Sequence, residues 1–184
     1  TSGQVVIGGT DIYQMTESQR SLWRGKNLGI VFQFFQLLPM LTLLENVMLP
    51  MDYVNLYGFN ERPKRAMELL KMVGLDEQAH TLPLAISTGQ QQAAAIARAL
   101  ATDPPLLVAD EPTSALDVSV QAQILNLLLN LRQELNLTYV IITHDLAVVS
   151  QVTEKIAVMY AGTIVESGPT EAIIYDPKHP YTQG

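Results

Sequence analysis

Two adjacent carboxylates follow an apolar run near the middle of the chain. Leu106 to Ala109 are all apolar, and Asp110 and Glu111 come directly after them. A short apolar run predicts a buried strand, and open α/β sheets bind ligands at the carboxyl ends of their strands. An Asp at that point can hold Mg²⁺, usually through water, and a Glu beside it can act as a base or orient a water toward a γ-phosphate. The alternative is an acidic turn without a chemical role.

Single polar residues follow two other apolar runs. Gln33 comes directly after residues 28–32, and His144 comes two positions after residues 138–142. An amide oxygen at Gln33 can ligate Mg²⁺ or bind an attacking water. An imidazole at His144 can contact a γ-phosphate and sense its loss. Taken alone, a histidine after a strand is usually structural, and a single glutamine carries little information.

A third feature opens an alanine-rich segment. Ser87, Thr88, Gly89 and Gln90 precede a helix predicted over residues 90–100. Backbone N–H groups and a serine hydroxyl at a helix N-terminus form an anion-binding site. Serine is also simply a good helix N-cap, so the pattern has a structural interpretation as well.

The predicted strands and helices that carry these residues alternate along the chain. Strands are predicted at 4–7, 28–32, 106–109 and 138–142, with a hairpin at 156–159 and 163–166. Helices are predicted at 16–23, 43–48, 61–73, 90–100, 118–135 and 170–175. This alternation is typical of an α/β fold with a largely parallel sheet. The stretch from about residue 37 to residue 100 contains no convincing strand, which predicts a helical insertion.

Composition excludes several classes of protein. The 184 residues carry a net charge of −7, and 48% of them are hydrophobic, which argues against disorder and against a dedicated nucleic-acid binder. No cysteine is present, which excludes disulfides, thiolate metal sites and cysteine nucleophiles. No uncharged apolar run is long enough to predict a membrane span. Residues 1–98 balance eight basic against eight acidic side chains, so all the excess acid follows them.

In combination these motifs resemble the nucleotide-binding domain of ATP-binding cassette (ABC) transporters over essentially the whole chain. The resemblance rests on six motifs in the family's order and spacing. They are 31–33, 37–47, 86–92 with 96–100, 110–113, 114–117 and 143–145. The first half is similar to lipoprotein-release and macrolide-export ATPases. The end, 156–182, is similar to oligopeptide and dipeptide importer ATPases.

The resemblance implies a P-loop NTPase (RecA-like) core, residues 1–36 and 101–184, with a helical signature subdomain, residues 37–100, inserted in it. It implies ATP and Mg²⁺ as cofactors and a role for each motif residue. Gln33 and Asp110 would hold the metal, and Glu111 and His144 would be catalytic. Nucleotide contacts in the dimer would come from the signature and D-loop positions, which are Ser87, Thr88, Gly89, Gln90 and Asp117.

One family motif is missing. The phosphate-binding loop Gly-x-x-x-x-Gly-Lys-Ser/Thr does not occur, since Gly25-Lys26 is followed by Asn27 and the position five before Gly25 is arginine. We therefore expect a chain truncated at its N-terminus, without the family's first strands, that neither binds ATP tightly nor hydrolyses it alone. Thr88 and Ala93 also depart from the usual signature, which predicts weakened closure on ATP.

Three functions remain open at this stage. The first is an ATP-hydrolysing subunit that pairs with a second ATPase subunit and a transmembrane permease on the cytoplasmic face of a prokaryotic membrane. The second is a catalytically silent partner that lends the signature motif to an intact ATPase subunit. The third is a soluble ABC protein of translation or DNA repair, although the short helical insertion and the importer-like tail argue against it.

Overall fold

The computed structural model describes residues 3–183, except for the side chain of Ala147, and it forms two compact units, one ending at Val140 and the other beginning at Ile141. The strands are β1 Val6–Ile7, β2 Thr10–Asp11, β3 Leu28–Val31, β4 Leu106–Asp110, β5 Thr138–Ile142, β6 Lys155–Tyr160 and β7 Thr163–Pro169. The α-helices are α1 Glu17–Asn27, α2 Leu43–Tyr53, α3 Arg62–Met72, α4 Thr88–Ala99, α5 Val118–Leu135, α6 Leu146–Val152, α7 Thr170–Tyr175 and α8 Pro180–Gln183.

The main sheet has the strand order β3-β4-β5. β3 and β4 run parallel, with Leu28 opposite Leu106 and Val31 opposite Ala109. Parallel neighbours need a crossover between them, and here the crossover contains α2, α3 and α4. The prediction of an α/β fold with a parallel sheet and a strand-free stretch at 37–100 is confirmed for these residues.

Helix α4 is the central element of the first unit. Its alanine-rich sequence leaves room for close neighbours, and it contacts α2, α3, α5 and β3. Its end lies directly on β3, because a Cβ atom built on Gly29 would be 2.4 Å from the carbonyl oxygen of Ala99. Glycine at this position is therefore what lets the helix approach the sheet so closely.

The sheet is buried on one face and open on the other. Gly29, Val31, Leu107 and Ala109 are buried beneath the helices. On the opposite face Ile30 is 36% and Val140 45% exposed. The prediction that these apolar runs form buried strands is therefore wrong for one face of the sheet within the described residues. An apolar run shows that a strand can be buried on both faces. It does not show whether a helix or strand among the described residues packs on each face.

The helix signals in the sequence are mostly confirmed. Thr16 and Thr42 both form capping boxes, with Gln19 and Glu45 respectively, and α5 has the predicted bounds. Helix α2 extends five residues beyond the predicted end, through Pro50. Proline removes one helix hydrogen bond, but Met51 just after it is fully buried, and this packing keeps the helix going.

The second unit is built on the predicted hairpin. β6 and β7 pair antiparallel around Ala161 and Gly162. Val149 of α6, Ile156 of β6 and Ile173 of α7 form its small core. The C-terminal segment is held by one carboxylate, because Glu166 accepts the backbone N–H groups of Lys178 and His179 at 2.7 and 3.1 Å. In the part of the chain that is described, no helix is both long and apolar enough to cross a membrane.

Candidate functional site

The register of β3 and β4 brings two predicted site residues together. Val31 lies opposite Ala109, so the positions two residues further along, Gln33 and Glu111, leave the sheet side by side. The side-chain amide of Gln33 donates a hydrogen bond of 3.2 Å from Nε2 to Oε2 of Glu111. Leu107 and Ala109 are buried and anchor β4, so the strand presents Asp110 and Glu111 at its carboxyl end.

Glu111 has a left-handed backbone conformation, with φ +43°. This conformation is uncommon for a residue with a side chain, and residues in such regions cluster at functional sites. The turn that follows is closed by Ser114, whose N–H and hydroxyl both donate to the Glu111 carbonyl, at 3.3 and 3.0 Å. The main chain at Glu111 is therefore tightly constrained.

The donor atoms here suit Mg²⁺. The carboxylate of Asp110 is exposed, and the amide of Gln33 lies on the neighbouring strand end. Mg²⁺ takes oxygen ligands, keeps several waters and is commonly held by one or two protein groups together with substrate phosphates. Among the described residues no group of three or more acidic, histidine or cysteine side chains could enclose a metal. Asp110 and Gln33 thus fit a hydrated Mg²⁺ that is shared with a phosphate.

Two helix N-termini lie next to each other in the first unit. Ser87 caps α4 in a capping box with Gln90. The backbone N–H of Gln90 donates to the Ser87 hydroxyl, and the backbone N–H of Ser87 donates to the side-chain oxygen of Gln90. Gly89 lies against α5, since a Cβ on it would be 2.6 Å from Cγ1 of Val120. Asp117 caps α5, and hydrogen bonds from the Ser119 hydroxyl and the Val120 N–H lower the pKa of its carboxyl group. Ser87 and Thr88 are exposed at this point.

The remaining predicted site residue lies in the second unit. His144 follows β5 in a bend and is exposed. The next residue, Asp145, caps the N-terminus of α6, because its Oδ1 accepts the backbone N–H of Val148 at 3.3 Å. The sequence signal at 143–145 therefore coincides with a strand-to-helix turn.

Two polar residues of α4 that contact the site loops were not predicted. The Gln92 side chain donates from Nε2 to the Pro112 carbonyl at 2.6 Å. The Arg98 guanidinium donates to the carbonyl oxygens of Phe35, at 2.8 Å, and Gln36, in the loop after Gln33. The available signal was a long polar side chain within a run of alanines, because such a helix is buried nearly all round.

Comparison with known proteins decides the family. The sequence profile of the family described as "ABC transporter" matches residues 1–114. The chain belongs to the ABC transporter family. Its fold agrees with that assignment. A solved ATP-binding cassette, MJ0796, described as a dimeric post-hydrolysis state bound to ADP and Pi, superposes with a TM-score of 0.80 at 39% identity, over 92% of this chain and 74% of that one.

Curated ABC transporter relatives match the chain from end to end. The probable peptide ABC transporter ATP-binding protein y4tS of Sinorhizobium fredii is 44% identical over 100% of this chain and 52% of its own length. The oligopeptide transport ATP-binding protein OppD of Bacillus subtilis is 40% identical over 99% and 52%. The methionine import ATP-binding protein MetN 2 of Pseudomonas entomophila is 40% identical over 100% and 54%. The chain thus spans about half the length of these relatives.

Proposed function

We propose that this chain is the motif-bearing part of an ATP-hydrolysing subunit that powers transport across a membrane. The observation that carries the proposal is the pairing of Gln33 with Glu111 at the ends of two parallel strands, beside Asp110. An amide and two carboxylates at this edge of the sheet have the chemistry of a site that holds hydrated Mg²⁺ and directs a water at a phosphate.

Each residue has a defined role in this proposal. Asp110 and Gln33 hold Mg²⁺, which neutralises negative charge on the phosphates when it is bound. Glu111 accepts the proton of the attacking water. His144 contacts the γ-phosphate, by resemblance to the family.

The exposed helix N-termini serve the opposite subunit of a dimer. Ser87, Thr88, Gly89 and Gln90 contact ATP held by the second ATPase subunit, and Asp117 lies at the same interface. The exposure of Ser87 and Thr88 at the start of α4 supports this, because the hydroxyls and N–H groups there are accessible to an anion. The same exposure favours a second candidate function, a silent partner that only lends this motif.

We further propose the domain division and setting that the resemblance implies. Residues 1–36 and 101–184 form the RecA-like core, and residues 37–100 form the helical signature subdomain. A transmembrane permease docks on the helical subdomain at the cytoplasmic face of a prokaryotic membrane. The relatives named for peptide and methionine transport make a peptide or amino acid the first substrates to test.

Nucleotide assays on two chains test the proposal. Since the 184 residues contain no phosphate-binding loop, we expect them alone to show neither micromolar ATP binding by calorimetry nor ATP hydrolysis. The natural gene product that contains them should hydrolyse ATP in a Mg²⁺-dependent reaction. Micromolar ATP binding by the 184 residues would contradict the need for that loop, and a gene product inactive in its assembled transporter would contradict the proposed function.

A further inference from the structure

Gln92 is a polar residue in an apolar place. Its side chain is fully buried, and it is followed on α4 by a run of buried alanine and isoleucine residues. Its Oε1 atom is buried and has no hydrogen-bond partner among the described residues. A buried amide that satisfies only one of its ends is unusual, because unpaired buried polar atoms are costly. The one bond that the side chain does make is therefore the feature to explain.

That bond ends on the loop that carries Glu111. Nε2 of Gln92 lies 2.6 Å from the carbonyl oxygen of Pro112, the residue after Glu111. A carbonyl only accepts hydrogen bonds, so the NH₂ group of the amide must face it. Pro112 has no N–H group of its own, and its carbonyl is the backbone group by which this residue can be held.

The bond closes a set of constraints around Glu111. The buried strand β4 fixes the chain before Glu111, the Ser114 bonds fix its carbonyl, and Gln92 fixes the next carbonyl. Glu111 itself is in the left-handed region, where a non-glycine residue is held only by its surroundings. Loss of the Gln92 bond removes the one constraint in this set that comes from α4.

We propose that Gln92 is a positioning residue for Glu111, fixing the direction of its carboxylate by binding the Pro112 carbonyl. The inference rests on the proposed function of Glu111 as the base. Since Ser87 caps α4, the same helix joins the proposed nucleotide-contacting N-terminus to the carboxylate loop. Gln92 touches no reacting atom in this scheme.

The bond itself is testable in the 184-residue chain by NMR, without nucleotide. The side-chain amide protons of Gln92 should exchange with solvent more slowly, by roughly tenfold or more, than those of Gln123, which is exposed. Gln92→Met keeps the length and removes the donor, and it should shift the Pro112 carbonyl and Thr113 amide signals. Gln91→Met is the matched control, because Gln91 lies on the same helix and binds the Ile86 carbonyl instead. Unprotected Gln92 protons, or equal shifts in both variants, would overturn the proposal.

The effect on the reaction is testable in the natural gene product. Gln92→Met should lower kcat by on the order of 10- to 100-fold, because a misplacement of about 1 Å costs that much, with the KM for ATP changed less than threefold. The pH dependence of kcat should change as well, while Gln91→Met alters neither. A Gln92→Met enzyme with unchanged kcat and pH profile would refute the positioning role. If the wild-type gene product shows no ATP turnover although the Gln92 amide protons are protected, the proposed function is rejected instead.

Discussion

Replacing Arg98 by methionine should destabilise the first unit by about 2–3 kcal/mol. The guanidinium is half-buried and donates two hydrogen bonds, to the carbonyl oxygens of Phe35 and Gln36. Hydrogen bonds to a charged group contribute about 1.5–3 kcal/mol each. The two bonds together contribute more than the net loss expected here, because burial of the guanidinium is itself unfavourable. The same burial disfavours the charged form and lowers the pKa of Arg98. Gln36 itself has a left-handed backbone, with φ +54°. Loss of the Arg98 bond to its carbonyl therefore removes an anchor of this loop.

Urea unfolding followed by circular dichroism measures this change. With a slope of about 2 kcal/mol per molar urea, the midpoint should fall by about 1–1.5 M. Arg24→Met is the matched control, because Arg24 is an exposed arginine that pairs with Glu17 at 3.3 Å, and surface pairs contribute about 0–1 kcal/mol. A midpoint shift for Arg98→Met no larger than that for Arg24→Met would show that Arg98 does not anchor the loop.

Three further perturbations follow from individual contacts. Gly89→Ala places a Cβ 2.6 Å from Cγ1 of Val120, which should cost about 1–3 kcal/mol and lower the Tm. The second substitution Val120→Ala should restore part of the lost Tm. If the effects of the two substitutions are simply additive, the contact is contradicted. The backbone N–H of Lys178 first, and then that of His179, donate to the Glu166 carboxylate and hold its pKa below its ordinary value. Their stabilisation is complete above the unfolded-state pKa and is lost as pH falls through the lower folded-state pKa. The Lys178 and His179 amide signals should report that loss, and Glu166→Gln should abolish the pH dependence. Asn46→Leu leaves the Leu38 N–H and the Leu41 carbonyl unpaired, while the Leu38 carbonyl keeps its bond from the Leu41 N–H. The change should cost about 2–4 kcal/mol in urea unfolding, whereas a loss below about 1 kcal/mol would mean that water replaces the amide.

Local signals in the sequence predicted most of the elements. Thr16 with Gln19 placed the start of α1, because a capping box is a contact between residues three apart. The run from Leu106 to Ala109 placed β4 and, with it, the two carboxylates at its end. Properties that depend on residues close in sequence were therefore accessible without coordinates.

Properties that depend on distant residues were not accessible. The contact between Gln33 and Glu111 spans 78 positions, and that between Gln92 and Pro112 spans 20. The burial of Gln92 follows from how many elements surround α4, which a run of alanines permits but does not specify. The open face of the sheet at Ile30 and Val140 was missed for the same reason. An apolar side chain looks the same in the sequence whether or not another element covers it.

ATP turnover by Glu111→Gln in the natural gene product tests the central claim most directly. Glutamine keeps the size of the side chain but cannot accept the proton of the attacking water, so kcat should fall by roughly 10²- to 10⁴-fold. Glu134→Gln, on the exposed surface of α5, is the control and should retain wild-type turnover. If Glu111→Gln hydrolyses ATP as fast as this control, Glu111 is not the base, and the central claim is contradicted.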